Sequence, residues 1–436
     1  MNTSAARRTS LAVLVALNIL NFYDRQIIGA LTEPIRKEFS LSDAQIGLVG
    51  SAFIWLYAVA GLPLGRVADT SSRRKLLAAG TVVWSALTGI AAIAVNYPML
   101  LVSRLGFAVG EAVVAPAAAS WIGDLFPAAE RSRALALFML AVPVGSALSY
   151  FFSGPLAQAY GWRAAMLVAA APAVVLVPLL LRLQEPLRGA AEGDERPGRG
   201  DEGALARAGA DVLRIPTMWW IIASGALLNF NLYAFAAFLP AFLSRVHRLS
   251  LAGSGIATGV VNAAGGTLGF VIASRLGDRI IQTRSNGRLL SAAATSLIAA
   301  PFAWLGISAA SVSAAIPLIA MAYGLLSSYY GLVYSAIQDI VAPALRGRAM
   351  AIYFTAMYLC GASFGPLVTG RLSDLAARRA AAAGAVTEAS KAIGLEQAML
   401  VMPALAILLA LVLYGGSRTI AADMRNREAP AGVFAR

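Results

Sequence analysis

A chain of 436 residues with one cysteine, one histidine and only 13% charged residues is short of the parts from which most enzymes and metal sites are assembled. Cys360 alone cannot close an intrachain disulfide, so it leaves the redox compartment open. His247, the only imidazole, has no metal-ligand spacing and no nucleophile-and-base pairing near it. No metal, no cofactor and no enzymatic activity are therefore expected, and a membrane-embedded lipid enzyme is disfavoured. The scarcity of charge also excludes a water-soluble globule, because at 59% hydrophobic the chain has too little polar surface to coat one. The net charge of +13 would point to nucleic acid in a soluble protein. Here the arginines stand in short turns between apolar runs, which fits an anionic membrane surface and makes a nucleic-acid partner unexpected.

What the chain has in plenty is long apolar runs. The first begins after Arg7 and Arg8 as if it were a secretory signal, but no small-residue cleavage site follows and the run carries on through Asn21, Asp24 and Arg25 to Ala30. It reads as a first membrane helix. Eleven more are predicted near 45–65, 76–95, 98–123, 133–156, 162–182, 217–243, 253–277, 288–308, 312–338, 348–370 and 397–416. The fold class is thus an all-α polytopic membrane protein with twelve transmembrane helices.

One half of the chain is spelled again in the other. Asp124, Leu125, Phe126 and Pro127, followed by Arg131, Ser132, Arg133 and Ala134, return as Asp339, Ile340, Val341 and Pro343, followed by Arg346, Gly347, Arg348 and Ala349. This gives two pseudo-symmetric six-helix halves, 1–183 and 216–417, joined by a polar, charge-balanced cytoplasmic linker at 184–215 and followed by a cytoplasmic tail at 418–436. A short surface helix is expected near Ala204 to Leu213. Arginines and lysines crowd the turns on the side of the termini, so both ends are placed in the cytoplasm, with a multi-pass protein in the bacterial inner membrane as the expected setting. The long turn after the eleventh helix, with Arg371, Arg378, Arg379 and Lys391, goes against this count and is predicted to carry an external helix of its own.

Duplicated halves favour moving parts, and hence a transporter over a static pore. An ionised side chain in mid-membrane costs on the order of 3 kcal/mol, so those that persist face a cavity or a partner. Asn18, Asn21, Asp24 and Arg25 fall within an arc of roughly 120° on the first helix, one wet face on a greasy rod. The alternative is an external pair of Asp24 and Arg25 reaching for water. On the fourth helix Arg104 and Glu111, about two turns apart, share a face, with Gly106 and Gly110 admitting a neighbouring helix. A carboxyl group that exchanges hydration for an arginine's charge takes up or releases a proton when the arginine moves. Asp24 and Glu111 are therefore the proton-coupling candidates, and Arg25, Arg104 and Asn21 are candidates for binding substrate. A permanently paired, structural Arg104 and Glu111 is the competing reading.

The second half offers a softer wall: Tyr323, Ser327, Tyr330 and Tyr334 on the tenth helix, and Asn229 and Tyr233 on the seventh. Of these, Asn229, Tyr233, Tyr323 and Tyr330 are the substrate-binding candidates, although tyrosine stripes at helical spacing also serve as packing. In the turn after the second helix Asp69, Arg73 and Arg74 read as a cytoplasmic gate, with Asp278 in the matching place after the eighth.

Gly65, three residues, Asp69 and then Arg73 and Arg74 resemble the signature of the major facilitator superfamily, with Thr70 and Ser72 departing from the usual Arg and Gly and Ser274 replacing the glycine of the second copy. That resemblance implies two parallel six-helix halves and alternating access. Closer still, Asn21-Phe22-Tyr23-Asp24-Arg25 resembles the first-helix motif of the Spinster branch, the sphingolipid and lysophospholipid transporters. Arg104 with Gly110-Glu111-Ala112 is similar to its fourth-helix motif, followed by Ala115-Pro116 and Asp124-Leu125-Phe126. The run Phe138 to Tyr150, holding Pro143-Val144-Gly145-Ser146, and the pattern Gly361, Gly365-Pro366, Gly370 extend the likeness, with Ala147 and Ser149 departing from the usual glycines. The resemblance implies proton-linked transport of a small amphipathic, lipid-like substrate by a monomer among membrane lipids. A drug or organic-anion exporter of the same fold is the alternative.

Overall fold

The computed structural model describes residues 4–188, 211–342, 345–382 and 384–428, and among these it contains helices and no strand. The chain runs through α1 (Ser4–Ala30), the short α2 (Thr32–Glu38), α3 (Asp43–Thr70), α4 (Arg73–Ala92), α5 (Tyr97–Glu111), α6 (Val114–Leu125), α7 (Ala128–Tyr160), α8 (Trp162–Ala170) and α9 (Ala173–Arg182). After the linker follow α10 (Pro216–Arg245), α11 (Leu251–Ile281), α12 (Gly287–Ile307), α13 (Val312–Ile340), α14 (Arg346–Met357), α15 (Gly365–Ala380), α16 (Glu388–Met399) and α17 (Val401–Glu428). Twelve stretches among the described residues are long and apolar enough to cross a bilayer, as the apolar runs predict.

Polar caps set the starts. Ser42 accepts from the Gln45 amide while the Gln45 side chain accepts from the Ser42 amide, opening α3, and Ser72 and Asn96 accept from Lys75 and Met99 to open α4 and α5. Three spans are broken in mid-course: the fourth between α5 and α6, the sixth at Ala171–Pro172 between α8 and α9, and the eleventh, where a π-helical turn at Tyr358–Ala362 separates α14 from α15. Irregular backbone of this kind persists in a membrane where neighbouring helices re-satisfy it. The long eleventh turn does hold a helix, α16, opened by a Thr387 cap. Of the surface helix expected in the linker, residues 204–210 lie outside the described residues, and only 211–213 are seen to be helical.

Two compact units divide the chain: residues 1–199 with 236–259, and 200–235 with 260–436. The division therefore falls inside α10 and inside α11. Within the first unit a Cβ on Gly145 would lie 2.4 Å from the Ile19 carbonyl oxygen, so α7 and α1 touch backbone to backbone. Within the second, Gly361 and Gly365 do the same against the Ala226 and Phe230 carbonyls of α10, each at 2.2 Å. Such contacts replace the hydrophobic effect, which gives no drive between helices already in lipid.

Candidate functional site

In the first unit α1, α3, α4 and α5 bring together the ionic side chains. Asn18, Asn21 and Asp24 of α1 are all buried, and Asn18 spends its amide on the Phe138 carbonyl (2.9 Å), holding the polar face of α1 against α7. Arg25 turns toward α5 and donates from Nε and Nη2 to one oxygen of Glu111, at 3.2 and 3.0 Å. Both partners are almost fully enclosed, at 5% and 0% side-chain exposure. The guanidinium lies over the rings of Tyr57, Phe22 and Phe53 at 4.5, 4.7 and 5.3 Å, an aromatic box that offsets part of its lost hydration.

Arg104 sits elsewhere in the same cluster. It lies 3.9 Å from the Phe107 ring centre and donates through Nη2 to the Asp24 backbone carbonyl at 3.2 Å. The partner of Glu111 is thus Arg25, 86 residues away, rather than Arg104 on its own helix. Asp24 is wholly buried, within electrostatic range of Glu111 and Arg104, and neither of its carboxylate oxygens accepts a hydrogen bond. The Trp84 indole lies beside it outside bonding geometry. The second oxygen of Glu111 and Nη1 of Arg104 are likewise buried and unengaged. Two carboxylates and two arginines therefore share one enclosed region with bonding capacity to spare. Gly110 makes the enclosure close: its Cβ would stand 2.9 Å from the Gly80 oxygen and the Trp84 nitrogen of α4.

The second unit gathers the aromatic candidates. Tyr330 donates to the Asn229 carbonyl oxygen (3.0 Å), and the Asn229 amide in turn meets the Gly225 oxygen and the Met357 sulfur. Tyr233 packs edge-on to Tyr358 in the π-helical turn, and Tyr323 stacks on Phe235 beside Asn231 and Met402 in an apolar cleft. A buried hydroxyl chain, Ser224 to Tyr329 to Tyr353, lies behind them. This wall carries hydroxyl and amide groups and no ion.

A family model for the Major Facilitator Superfamily matches residues 14–366. The chain belongs to the major facilitator superfamily. An MFS-type efflux pump of Mycolicibacterium smegmatis is 32% identical over 371 residues, 84% of each chain. Protein spinster homolog 1 of Homo sapiens is 30% identical over 400 residues, covering 83% of this chain and 72% of that one. Among solved structures, a bacterial homologue of the human lysosomal transporter Spinster, inward-facing and unoccupied, matches with a TM-score of 0.85 and 25% identity over 97% of this chain and 99% of that one. The protein is accordingly a Spinster-like transporter of the superfamily and not an enzyme.

The signature turn of this superfamily member is held by its own linker. Arg73, fully buried, pairs with Asp124 and with Glu185. The Glu185 carboxylate accepts from Ser72 Oγ (2.6 Å), from the Arg73 amide (2.8 Å) and from Arg73 Nε (3.1 Å), capping the start of α4. Arg74 donates to the Leu183 carbonyl. The side chains of Asp69 and Asp278 lie outside the described residues. In the second half Arg288 pairs with Asp339, and both this separation and that of Arg73 from Asp124 are 51 residues. The duplication thus extends from the repeated aspartate motif to its arginine partner, a spacing legible in the sequence once the pair is known. Partners that sequence reasoning missed are Phe22, Phe53 and Tyr57 around Arg25, and Glu185.

Partial burial works to raise the Glu185 pKa, but the bonds from Ser72 and Arg73 outweigh it and hold the group below its usual value of 4.5. A folded-state pKa below the unfolded one stabilises above the unfolded value and is lost as pH falls through the folded one. Glu185→Gln is therefore expected to lower the melting temperature at pH 7, and the gap to wild type should narrow below pH 4.5 in a thermal-unfolding series. A gap independent of pH would show that charge plays no part.

Proposed function

We propose that the protein is a proton-coupled secondary transporter that moves an amphipathic, lipid-like substrate, of lysophospholipid or sphingoid type with an anionic headgroup, by alternating access. The observation that carries this reading is the buried Arg25–Glu111 pair with unbonded Asp24 beside it. A guanidinium in an aromatic box suits an anionic headgroup, because the planar fork can exchange a carboxylate for a phosphate without leaving its stacked position. When an anion takes Arg25, Glu111 loses its counter-charge and its protonation changes; when Glu111 takes the arginine back, the anion is released. Asp24 and Arg104 supply the second carboxyl and cation of the exchange. Tyr233, Tyr323, Tyr330 and Asn229, with phenol and amide groups, are the further substrate-binding residues proposed in the second unit, and the membrane orientation proposed is both termini cytoplasmic in a bacterial inner membrane, as a monomer.

A second reading, an exporter of drugs or small organic anions, is favoured by the 32% identity to the mycobacterial efflux pump. Counterflow in liposomes against a panel of lysophospholipids, sphingoid lipids and organic anions, with and without a pH gradient, separates the two. Saturable counterflow with the lipid members supports the first. Counterflow with organic anions alone supports the second.

A further inference from the structure

The turn after α1 and the far end of α10 hold a buried ion cluster apart from the Arg25–Glu111 site. Arg245, the last residue of α10, donates from Nη1 and Nη2 to the two oxygens of Asp43 (2.8 and 2.7 Å) and from Nε to Glu33 (2.6 Å). Glu33 also accepts from Arg36 of the same short helix at 3.1 Å. Side-chain exposure is 3% for Arg245, 9% for Glu33, 4% for Asp43 and 2% for Arg36. Two carboxylates and two guanidinium groups, in balance, are thus withdrawn from solvent at one place. The elements that meet there come from opposite halves of the sequence repeat: α2 and the capped start of α3 from one, the end of α10 from the other.

What surrounds the cluster is built to part. Gly29 faces the Ala236 carbonyl, where a Cβ would lie 2.6 Å away, and Gly154 faces the Leu251 carbonyl at 2.7 Å. Tyr150 donates to the Ala236 oxygen (2.8 Å), Thr32 to the Ala237 oxygen (3.4 Å), and the Ala252 amide to the Gln158 side chain (2.9 Å). These are glycine faces and single hydrogen bonds, contacts that separate without unlocking large interdigitated side chains. A balanced buried ion cluster roughly breaks even against an apolar replacement in stability, so its distinctive property is that it holds firmly while dry and lets go once water enters.

Resting on the alternating-access reading above, we propose that Arg245, Glu33, Asp43 and Arg36 form the latch of the external gate, and that opening to the outside requires Arg245 to leave both carboxylates. The reporter is Ala241, wholly buried about one turn before Arg245. Ala241→Cys is made in a Cys360→Ser background, since Cys360 is exposed, and right-side-out vesicles are labelled with a membrane-impermeant maleimide. Arg245→Gln and Asp43→Asn should each speed labelling at least about tenfold by populating the outward-open state. Arg245→Lys, which keeps the charge but loses the fork, should fall between. The double variant Arg245→Gln, Asp43→Asn should label no faster than Arg245→Gln alone, because both remove the same contact.

Variants are compared only where gel filtration matches wild type, and Asp43→Asn, which changes one atom, keeps the test open if Arg245→Gln fails to fold. Unchanged labelling in Asp43→Asn and Arg245→Lys overturns the latch. Counterflow in the same preparations tells this failure from failure of the transport reading. Wild-type counterflow with unchanged labelling in the variants removes the latch alone, whereas faster labelling without any wild-type counterflow keeps the latch and removes the transport reading.

Discussion

Arg25→Gln is expected to destabilise the protein by about 3–5 kcal/mol, the cost of leaving one member of a buried ion pair uncompensated. The size follows from burial: Glu111 has no exposed surface, and both donors that reach it come from Arg25. The neutral double variant Arg25→Gln, Glu111→Gln should recover most of that loss, because the stranded charge is gone. Arg25→Lys should restore only part of it, since an ammonium on a flexible stem cannot keep two bonds to Glu111 while stacked on Tyr57 and Phe22. Thermal unfolding in detergent measures all three. If Arg25→Gln melts like wild type, Glu111 has another counter-charge and the pairing is not what holds it. All three variants are also expected to lose anion transport, because each removes or displaces the guanidinium that the substrate would meet.

Glu111→Gln, alone, should behave in the opposite way. A glutamine keeps the shape and one acceptor for Arg25 but no longer competes by charge, so substrate affinity should be at least that of wild type, while transport becomes indifferent to an imposed pH gradient. The expected signature is therefore retained binding and retained counterflow with loss of gradient-driven accumulation. Asp24→Asn tests the second carboxyl in the same assay. Because neither carboxylate oxygen of Asp24 accepts a hydrogen bond, its neutral replacement should cost little stability, in contrast to Arg25→Gln. If Glu111→Gln still accumulates substrate in response to the gradient, the coupling group is not Glu111. If Asp24→Asn alone loses the response, Asp24 carries the proton.

How much of this was legible beforehand differs between fold and site for a physical reason. A bilayer leaves a long apolar run few choices, so twelve spans, and the helix in the turn after the eleventh, follow from composition and punctuation. The rarity of charge in such runs likewise marked Asp24, Arg25, Arg104 and Glu111, all of which the structure places in one buried region. Which arginine would meet Glu111 was not legible. Helical periodicity ranks Arg104, on the same helix, as a partner, but the pair that forms joins α1 to α5, and only the close approach of helices decides it. The aromatic box is invisible for the same reason, since Phe53 and Tyr57 read as ordinary lipid-span residues. The role of Glu185 was hidden because a polar linker reads as solvated strap, whereas its first residues carry the cap of α4. Nothing in the sequence marks Arg245 apart from the other basic residues between spans, because its burial against Glu33 and Asp43 is set by elements of the other sequence repeat.

The central claim is that the anionic substrate and the Glu111 carboxylate compete for one arginine, Arg25, so that taking up the anion and protonating Glu111 go together. Its most direct test is wild-type protein in liposomes holding a pH-sensitive dye, with no gradient imposed, to which a lysophospholipid that passes the counterflow screen is added. A change of luminal pH that rises and saturates with substrate uptake, and that vanishes in Glu111→Gln, is the predicted result. Uptake of the same lipid with no movement of protons would contradict the account.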